Sequence, residues 1–428
     1  MSCIMNELHI AARDGSVERT LNLLAGGEID IDSHTSNNLT ALMTAASFGH
    51  SRVVRTLLTK GANVSLVGDI GITALHFSAQ KGYLAVTKLL VKAGANVEAK
   101  TSDTGVTPLH MAAELGYSEV MTVLIEAGAN PNNRSLDGGA SPLHKVAQCG
   151  HLAATKVLLR ANANPLLVCS MLSGATFSPL DVAARNGRLE VAHELIQEYR
   201  IEGCGGPSRG GNALRWAAEH QHVELMGMLT SAGVVDRGSA LIAAAAYGRE
   251  SSVKFLLQQQ EEWKASGQGA GYLNAIDYFG ETPLVCSIHA CRSCSHRITR
   301  MLVDAGADTT TAVRVEKDGE VVFNGTPLAL TDLYLREKNL GGEDATESQL
   351  HTLQATRRLL VRVEAVYAVS WLWARYVPPV TRAAIEGTGG ATLTTPTPLI
   401  SMLSVLRRRA GRPRVLLGAL LRHSGKPY

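Results

Sequence analysis

The stretch Gly105–Pro131, GVTPLHMAAELGYSEVMTVLIEAGANP, repeats in other words the stretch Gly71–Val97, GITALHFSAQKGYLAVTKLLVKAGANV, which begins 34 positions earlier. Thr107 and Thr73 have the chemistry of an N-cap, a hydroxyl oxygen accepting from the amides left bare at a helix start. Pro108 follows at the first helical position, where a missing N–H costs nothing. Leu109, Ala112 and Ala113 then predict a short helix whose small residues let a neighbour approach closely, and Gly116 ends it in the left-handed conformation. In the other copy Val86, Leu89, Leu90 and Ala93 recur at i, i+3, i+4 and i+7, one apolar face of a second helix. Gly94 and Gly128 stop that helix, and a turn-forming finger rich in Asn, Asp and Gly leads to the next copy. Such a unit cannot bury its own apolar faces, whereas stacked copies can.

Aligned on the capping residue, copies start at Thr40, Thr73, Thr107, Ser141, Ser178, Asn212, Ser239, Thr282 and Thr326, with a degenerate first copy near Asn6. The motif TPLHMAAELGYSEVMTVLIEAGANP resembles the ankyrin repeat, and the resemblance runs over roughly residues 5 to 310. It implies an all-α solenoid with fingers projecting from one edge, a family architecture used mainly to bind other proteins. On this reading the chain is a non-enzymatic scaffold or adaptor of protein partners, with no catalytic residue, cofactor, metal or small-molecule substrate, and with nucleic acid not expected as a partner.

The pattern divides the chain into a capping repeat over 1–35, regular repeats over 36–200, irregular repeats over 201–335, a helical cap over 336–379 and a linker with a basic tail over 380–428. After Ser178 the copies start at intervals of 34, 27, 43 and 44 residues, and Asp181, Arg215, Ile242, Val285 and Ala329 replace the motif's His. The Gly-rich finger Glu202–Asn212 has no following Gly-Lys-Ser/Thr and so is not read as a phosphate loop. Residues 312–323 alternate around Asp318-Gly319 and predict a β-hairpin in the last finger. Residues 346–376 predict a long helix closed by Pro378-Pro379. Its apolar run of about ten residues is half of what a membrane span requires. A cap on the stack is the first reading of this helix and an interfacial helix the second.

With 45% apolar residues the chain has ample material for a core. The N-terminus lacks the basic segment and apolar run of a secretory signal. Seven irregularly spaced cysteines do not form a disulfide framework. The expectation is a reduced, intracellular protein, cytoplasmic first and nuclear second. The formal charge of +3 is uneven: from Gly387 onward there are seven basic and no acidic residues, against 34 basic and 38 acidic before it. Arg407, Arg408, Arg409, Arg412 and Arg414 lie between apolar clusters in that tail. Three readings of them stand: a membrane-surface element for anionic lipid, a nuclear-import or nucleic-acid patch, and a solvated end.

His9, His76, His110 and His144 share one repeat position. Each occupies its own layer, so they are read as structural groups bonding to finger backbone. Cys286, His289, Cys291, Cys294 and His296 are zinc-ligand types in one short segment. Bringing them together would disrupt the predicted helical hairpin, and a buried small apolar Cys is the reading preferred here. The positions at which copies differ are where a partner is expected. Phe48, Lys81, Leu115, Arg185, His220 and Tyr247 fall in the variable pair before the motif's Gly, and Tyr278 and Phe279 fall on a fingertip. Variation alone also suits a solvated surface, but Phe48, Leu115, Tyr247 and the fingertip rings place apolar groups where solubility favours charge.

Overall fold

The computed structural model describes residues 7–27, 29–170, 176–201, 211–234, 238–265, 271–290, 296–317, 320–339 and 347–376. Its helices alternate between two layers. The inner layer is α1 (Glu7–Asp14), α3 (Ala41–Ser47), α5 (Ala74–Lys81), α7 (Pro108–Glu114), α9 (Pro142–Cys149), α11 (Pro179–Arg185), α13 (Gly211–Glu219), α15 (Ser239–Ala246), α17 (Pro283–Ala290) and α19 (Pro327–Asn339). The outer layer is α2 (Val17–Ala25), α4 (Ser51–Thr59), α6 (Leu84–Lys92), α8 (Ser118–Glu126), α10 (Leu152–Arg160), α12 (Leu189–Ile201), α14 (Val223–Ser231), α16 (Glu250–Ala265), α18 (Arg297–Asp304) and α20 (Glu347–Tyr376). Each helix packs on its partner and on the next member of its own layer, which makes a solenoid. The long helix expected to cap the stack is α20, seated on α18 and α19 as the outer member of a tenth pair.

The main core is a continuous slab between the layers, from Leu8 through Leu42, Leu75, Leu109, Leu143, Leu180, Leu214, Leu241 and Leu284 on the inner helices to Val54, Leu90, Leu124, Leu158 and Leu195 on the outer ones, and a smaller cluster of Val285, Ile288, Val313, Leu330 and Leu360 fills the end at α17 to α20. Close approach of the inner helices depends on Ala: Ala45, Ala46, Ala79, Ala112, Ala113, Ala183, Ala184, Ala217 and Ala218 are fully buried. The predicted caps are present at most copies but not at Asn212 and Ser239: α13 begins at Gly211, so Asn212 lies inside it, and Gly238 takes the N-cap position of α15, whose first helical residue is Ser239. Thr40 Oγ1 accepts from the Met43 amide, and Thr73, Thr107, Ser141 and Ser178 each complete a capping box with the residue three further on.

Three ladders tie layer to layer. In the first, His9, His76, His110 and His144 donate through Nε2 to the carbonyls of Leu39, Val106, Ala140 and Phe177 at 2.8, 3.2, 3.1 and 3.0 Å. Nδ1 of the last three accepts from the amide of the capping residue at 3.1 to 3.3 Å. Each imidazole therefore works as a neutral group, and burial lowers all four from the ordinary value, His110 and His144 to about 4. In the second ladder a residue just past the motif's Gly reaches back one layer: His50, His151 and His222 donate through Nε2 to the carbonyls of Arg13, Glu114 and Arg185 at 2.8, 3.0 and 3.3 Å. Arg188 and Arg249 do the same through Nε to Gln148 and Glu219 at 3.1 and 2.7 Å. The third runs along the finger bases, where Asp32, Glu98, Asn132 and Asn274 accept from the amides of Asn63, Asn130, Asn164 and Asp308 in the following copy.

The second ladder gives the motif's Gly a further role. Gly116 has φ +75°, as its helix end requires, but a Cβ there would also lie 2.5 Å from the His151 ring. The predicted hairpin is present as antiparallel β3 (Val313–Lys317) and β4 (Glu320–Gly325), bulged between Val315 and Glu316, with residues 318–319 outside the described set. A smaller pair, β1 (Cys169–Ser170) with β2 (Thr176–Phe177), closes the finger ahead of α11 and was not legible in the sequence.

Candidate binding surface

Phe48, Lys81 and Leu115 stand at the ends of α3, α5 and α7, three consecutive inner helices, and so form one row. Arg185, His220 and Tyr247 stand at the ends of α11, α13 and α15 and form a second. The Gln148-Cys149 pair of α9 separates them. Phe48, Leu115 and Tyr247 are 51, 47 and 53% exposed, where most large apolar side chains of these helices are fully buried. Lys81 is exposed as well. Phe48 lies parallel to the His50 ring at 6.3 Å, which orients it. On the finger before α17, Tyr278 is 96% exposed and meets Phe279 edge-on at 5.6 Å.

The second row is held more firmly than its sequence suggested. The Arg185 guanidinium lies over both the Phe177 and Trp216 rings, at 5.7 and 5.4 Å, and that of Arg215 lies over Trp216 at 5.0 Å. Arg185 is half-buried by this stack, so its charge is held by cation–π contact rather than extended into solvent. His220 is half-buried with its ring edge-on to His222 at 6.2 Å, and burial lowers its pKa. Trp216 was missed in the sequence because it occupies the position after the motif's His, ordinarily read as core. Phe77, Met111 and Trp216 all occupy that position and all remain half-exposed, a regularity that a column-by-column reading of the copies could have found. Lys145 and Glu114, facing each other across α9 and α7, form an ion pair at 3.7 Å.

Where Asp181 replaces the motif's His, half of the His function survives. Oδ2 accepts from the Ser178 amide and hydroxyl at 2.8 and 2.7 Å, but Oδ1 is buried with no partner among the described residues. Burial raises the Asp181 carboxyl. Of the five metal-ligand types, Cys286 and His289 meet at a shared partner, Glu281, which the sequence reading did not include. His296 sits apart as the residue before α18, and Cys291 and Cys294 lie outside the described residues. Arg407, Arg408, Arg409, Arg412 and Arg414 also lie outside them. Among the described residues, no helix is long and apolar enough to cross a membrane.

With two short helices, a left-handed stop and a finger repeated in register, and with a buried imidazole joining the layers of α1, α5, α7 and α9 to the finger that follows, the architecture meets the family description "Ankyrin repeats (3 copies)", which matches residues 8–101, 66–135 and 109–204. Residues 8–204 of the chain are ankyrin repeats. Similar relatives include the palmitoyltransferase AKR1 of Saccharomyces cerevisiae, 33% identical over 100 residues, covering 22% of this chain and 13% of that protein. The human NAD-capped RNA hydrolase NUDT12 is 32% identical over 90 residues, covering 21 and 20%. Human ankyrin repeat and KH domain-containing protein 1 is 35% identical over 95 residues, covering 22 and 4%. The chain thus spans a fifth or less of the length of these relatives. Ankyrin repeats are a protein-interaction architecture, and that coarse role extends to this ankyrin stack.

Proposed function

We propose that this ankyrin repeat protein is a non-enzymatic scaffold or adaptor, working inside the cell, that reads a protein partner across its two rows of variable inner-helix ends and the Tyr278 fingertip. The observation that carries the reading is the exposure of Phe48, Leu115 and Tyr247 at one repeat position. Apolar and aromatic side chains that lose water on docking dominate most interfaces. Two rows separated by one layer suit a partner that spans several repeats. The aromatic-stacked Arg185 supplies a pre-oriented cation that loses little side-chain freedom when it docks.

The test is affinity capture by the full chain, with partners identified by mass spectrometry, beside a variant carrying Phe48→Ser, Leu115→Ser and Tyr247→Ser. Loss of the main partner with unchanged helical circular dichroism supports the reading. Undiminished capture places the interface elsewhere. The membrane alternative rests on the five Arg of the tail and the absence of acid after Gly387. Salt-sensitive flotation of residues 387–428 with anionic liposomes, independent of the repeats, is its expected signature.

A further inference from the structure

Where the finger bearing Tyr278 returns into α17, four side chains with different donor atoms converge. Asp277 and Glu281 come from the finger turn, and Cys286 and His289 lie three residues apart on one face of α17. Cys286 Sγ donates to Glu281 Oε2 at 3.2 Å, and His289 Nδ1 lies 3.0 Å from Glu281 Oε1. Ligand atoms of Asp277, Glu281 and Cys286 all fall within 4.8 Å of one another. Asp277 is oriented by the turn itself: Oδ1 accepts the amides of Phe279 and Glu281 at 2.9 and 2.8 Å, and neither bond uses Oδ2. This set belongs to one layer. At the position of Cys286 the other copies carry Ile10, Thr44, Phe77, Met111, Lys145, Val182, Trp216, Ala243 and Leu330.

We propose that Asp277, Glu281, Cys286 and His289 form a zinc site that clamps this finger to α17. A tetrahedral ion with arms of about 2.0 to 2.3 Å holds its donors about 3.3 to 3.8 Å apart. Cys286 and His289 are each already at about this spacing from Glu281, and Asp277, Glu281 and Cys286 lie within 4.8 Å of one another, so completing the site requires the His289 ring to turn from Glu281 toward Cys286 and Asp277. Thiolate with imidazole favours zinc over calcium or magnesium, which take oxygen donors. On binding, the thiol proton leaves to solvent, His289 coordinates through Nδ1 with its proton on Nε2, and Glu281 exchanges its two hydrogen bonds for one metal bond. Burial pushes the Cys286 thiol up, so the metal-free cluster is a neutral thiol donating to a carboxylate. The clamp also has a place in the architecture. Ile242 on α15 stands where α5, α7 and α9 have His, so the finger leading into α17 lacks the imidazole that would tie it to the inner helix of the preceding layer.

The full chain, reduced and stripped with a chelator, is titrated with cobalt(II) as the spectroscopic stand-in. One equivalent is expected to give the intense visible bands of tetrahedral cobalt and a thiolate-to-cobalt charge-transfer band, both removed by zinc. Cys286→Ser is expected to abolish the charge-transfer band. Asp277→Asn and His289→Gln are expected to weaken zinc binding by about 10- to 100-fold or more, the loss that even outer-shell partners produce. The pair Cys291→Ser with Cys294→Ser is expected to leave the band in place. Helical circular dichroism accompanies every variant, and Asp277→Asn, at a partly exposed turn, decides the matter if Cys286→Ser does not fold. No band in the parent overturns the site, as does a band that survives Cys286→Ser, one that is lost with Cys291 and Cys294, or zinc affinity unchanged in Asp277→Asn.

Discussion

In the layers built on α5, α7 and α9 a buried imidazole spans from a capping residue to the next finger, and His9 on α1 reaches the next finger as well, whereas Met43 on α3 and Asp181, Arg215, Ile242, Val285 and Ala329 from α11 onward occupy that position. Both halves share the same pair of helices and the same alanine-lined contact. They differ in how fingers are fastened. The early half fastens them with His in every layer but that of α3. The later half relies on particular solutions, such as the Arg185, Phe177 and Trp216 stack and the Glu281 cluster. Helix packing sets the repeat, while the finger-to-helix tie sets how uniform the repeats can be. Fingers of varied length are tolerated where the His tie is absent.

The largest effect expected is from the slab that both halves share. Leu109→Ala removes a fully buried side chain at about 2 to 5 kcal/mol, and nearest-neighbour coupling should spread the loss into α5 and α9. Denaturant melts combined with hydrogen exchange read both. A melt indistinguishable from the parent would break the claim of a continuous slab.

Acid should separate the halves. The folded values of His110 and His144, about 4, lie below that of a free imidazole, about 6.5, so the unfolded chain binds more protons between these limits. Stability is full above that window and is lost as pH falls through it, by up to about 3 kcal/mol for each His. Asp181 has the opposite sign. Its raised value means that its cost is fully present at neutral pH and is relieved on acidification. Segment-resolved hydrogen exchange between neutral and mildly acidic pH should show α5 to α10 opening first; uniform loss along the chain would remove the distinction.

A paired substitution sharpens the role of the second ladder. Gly116 and Gly128 both have positive φ, but only at Gly116 would a Cβ meet a neighbouring ring. Gly128→Ala is expected to cost about 1 kcal/mol, the strain of an L residue in that region, and Gly116→Ala distinctly more, about 1 to 3 kcal/mol. Equal melting temperatures for the two would refute the close approach of His151. The smallest effect is a gain. Asp181→Asn keeps an acceptor for the Ser178 amide and hydroxyl and removes the buried charge, so a rise of about 1 kcal/mol at neutral pH is expected. A fall in the melting temperature would show that the charge is needed.

The sequence by itself determined the two-helix unit, its register, its caps and its stops, because each of those signals acts within one or two helical turns: Thr107 caps the amides beside it and Gly116 ends the helix it follows. It also determined that His76, His110 and His144 are structural, since their spacing puts one in each layer. Only the tertiary structure decided what lies 30 to 40 residues away across a layer contact. His151 reaching the Glu114 carbonyl, Arg185 laid across Phe177 and Trp216, and α20 seated as an outer helix all depend on how one copy stacks on the last. The same holds for Cys286 and His289 meeting at Glu281, because a finger's length fixes where its carboxylates return to the helix and no local periodicity encodes that return.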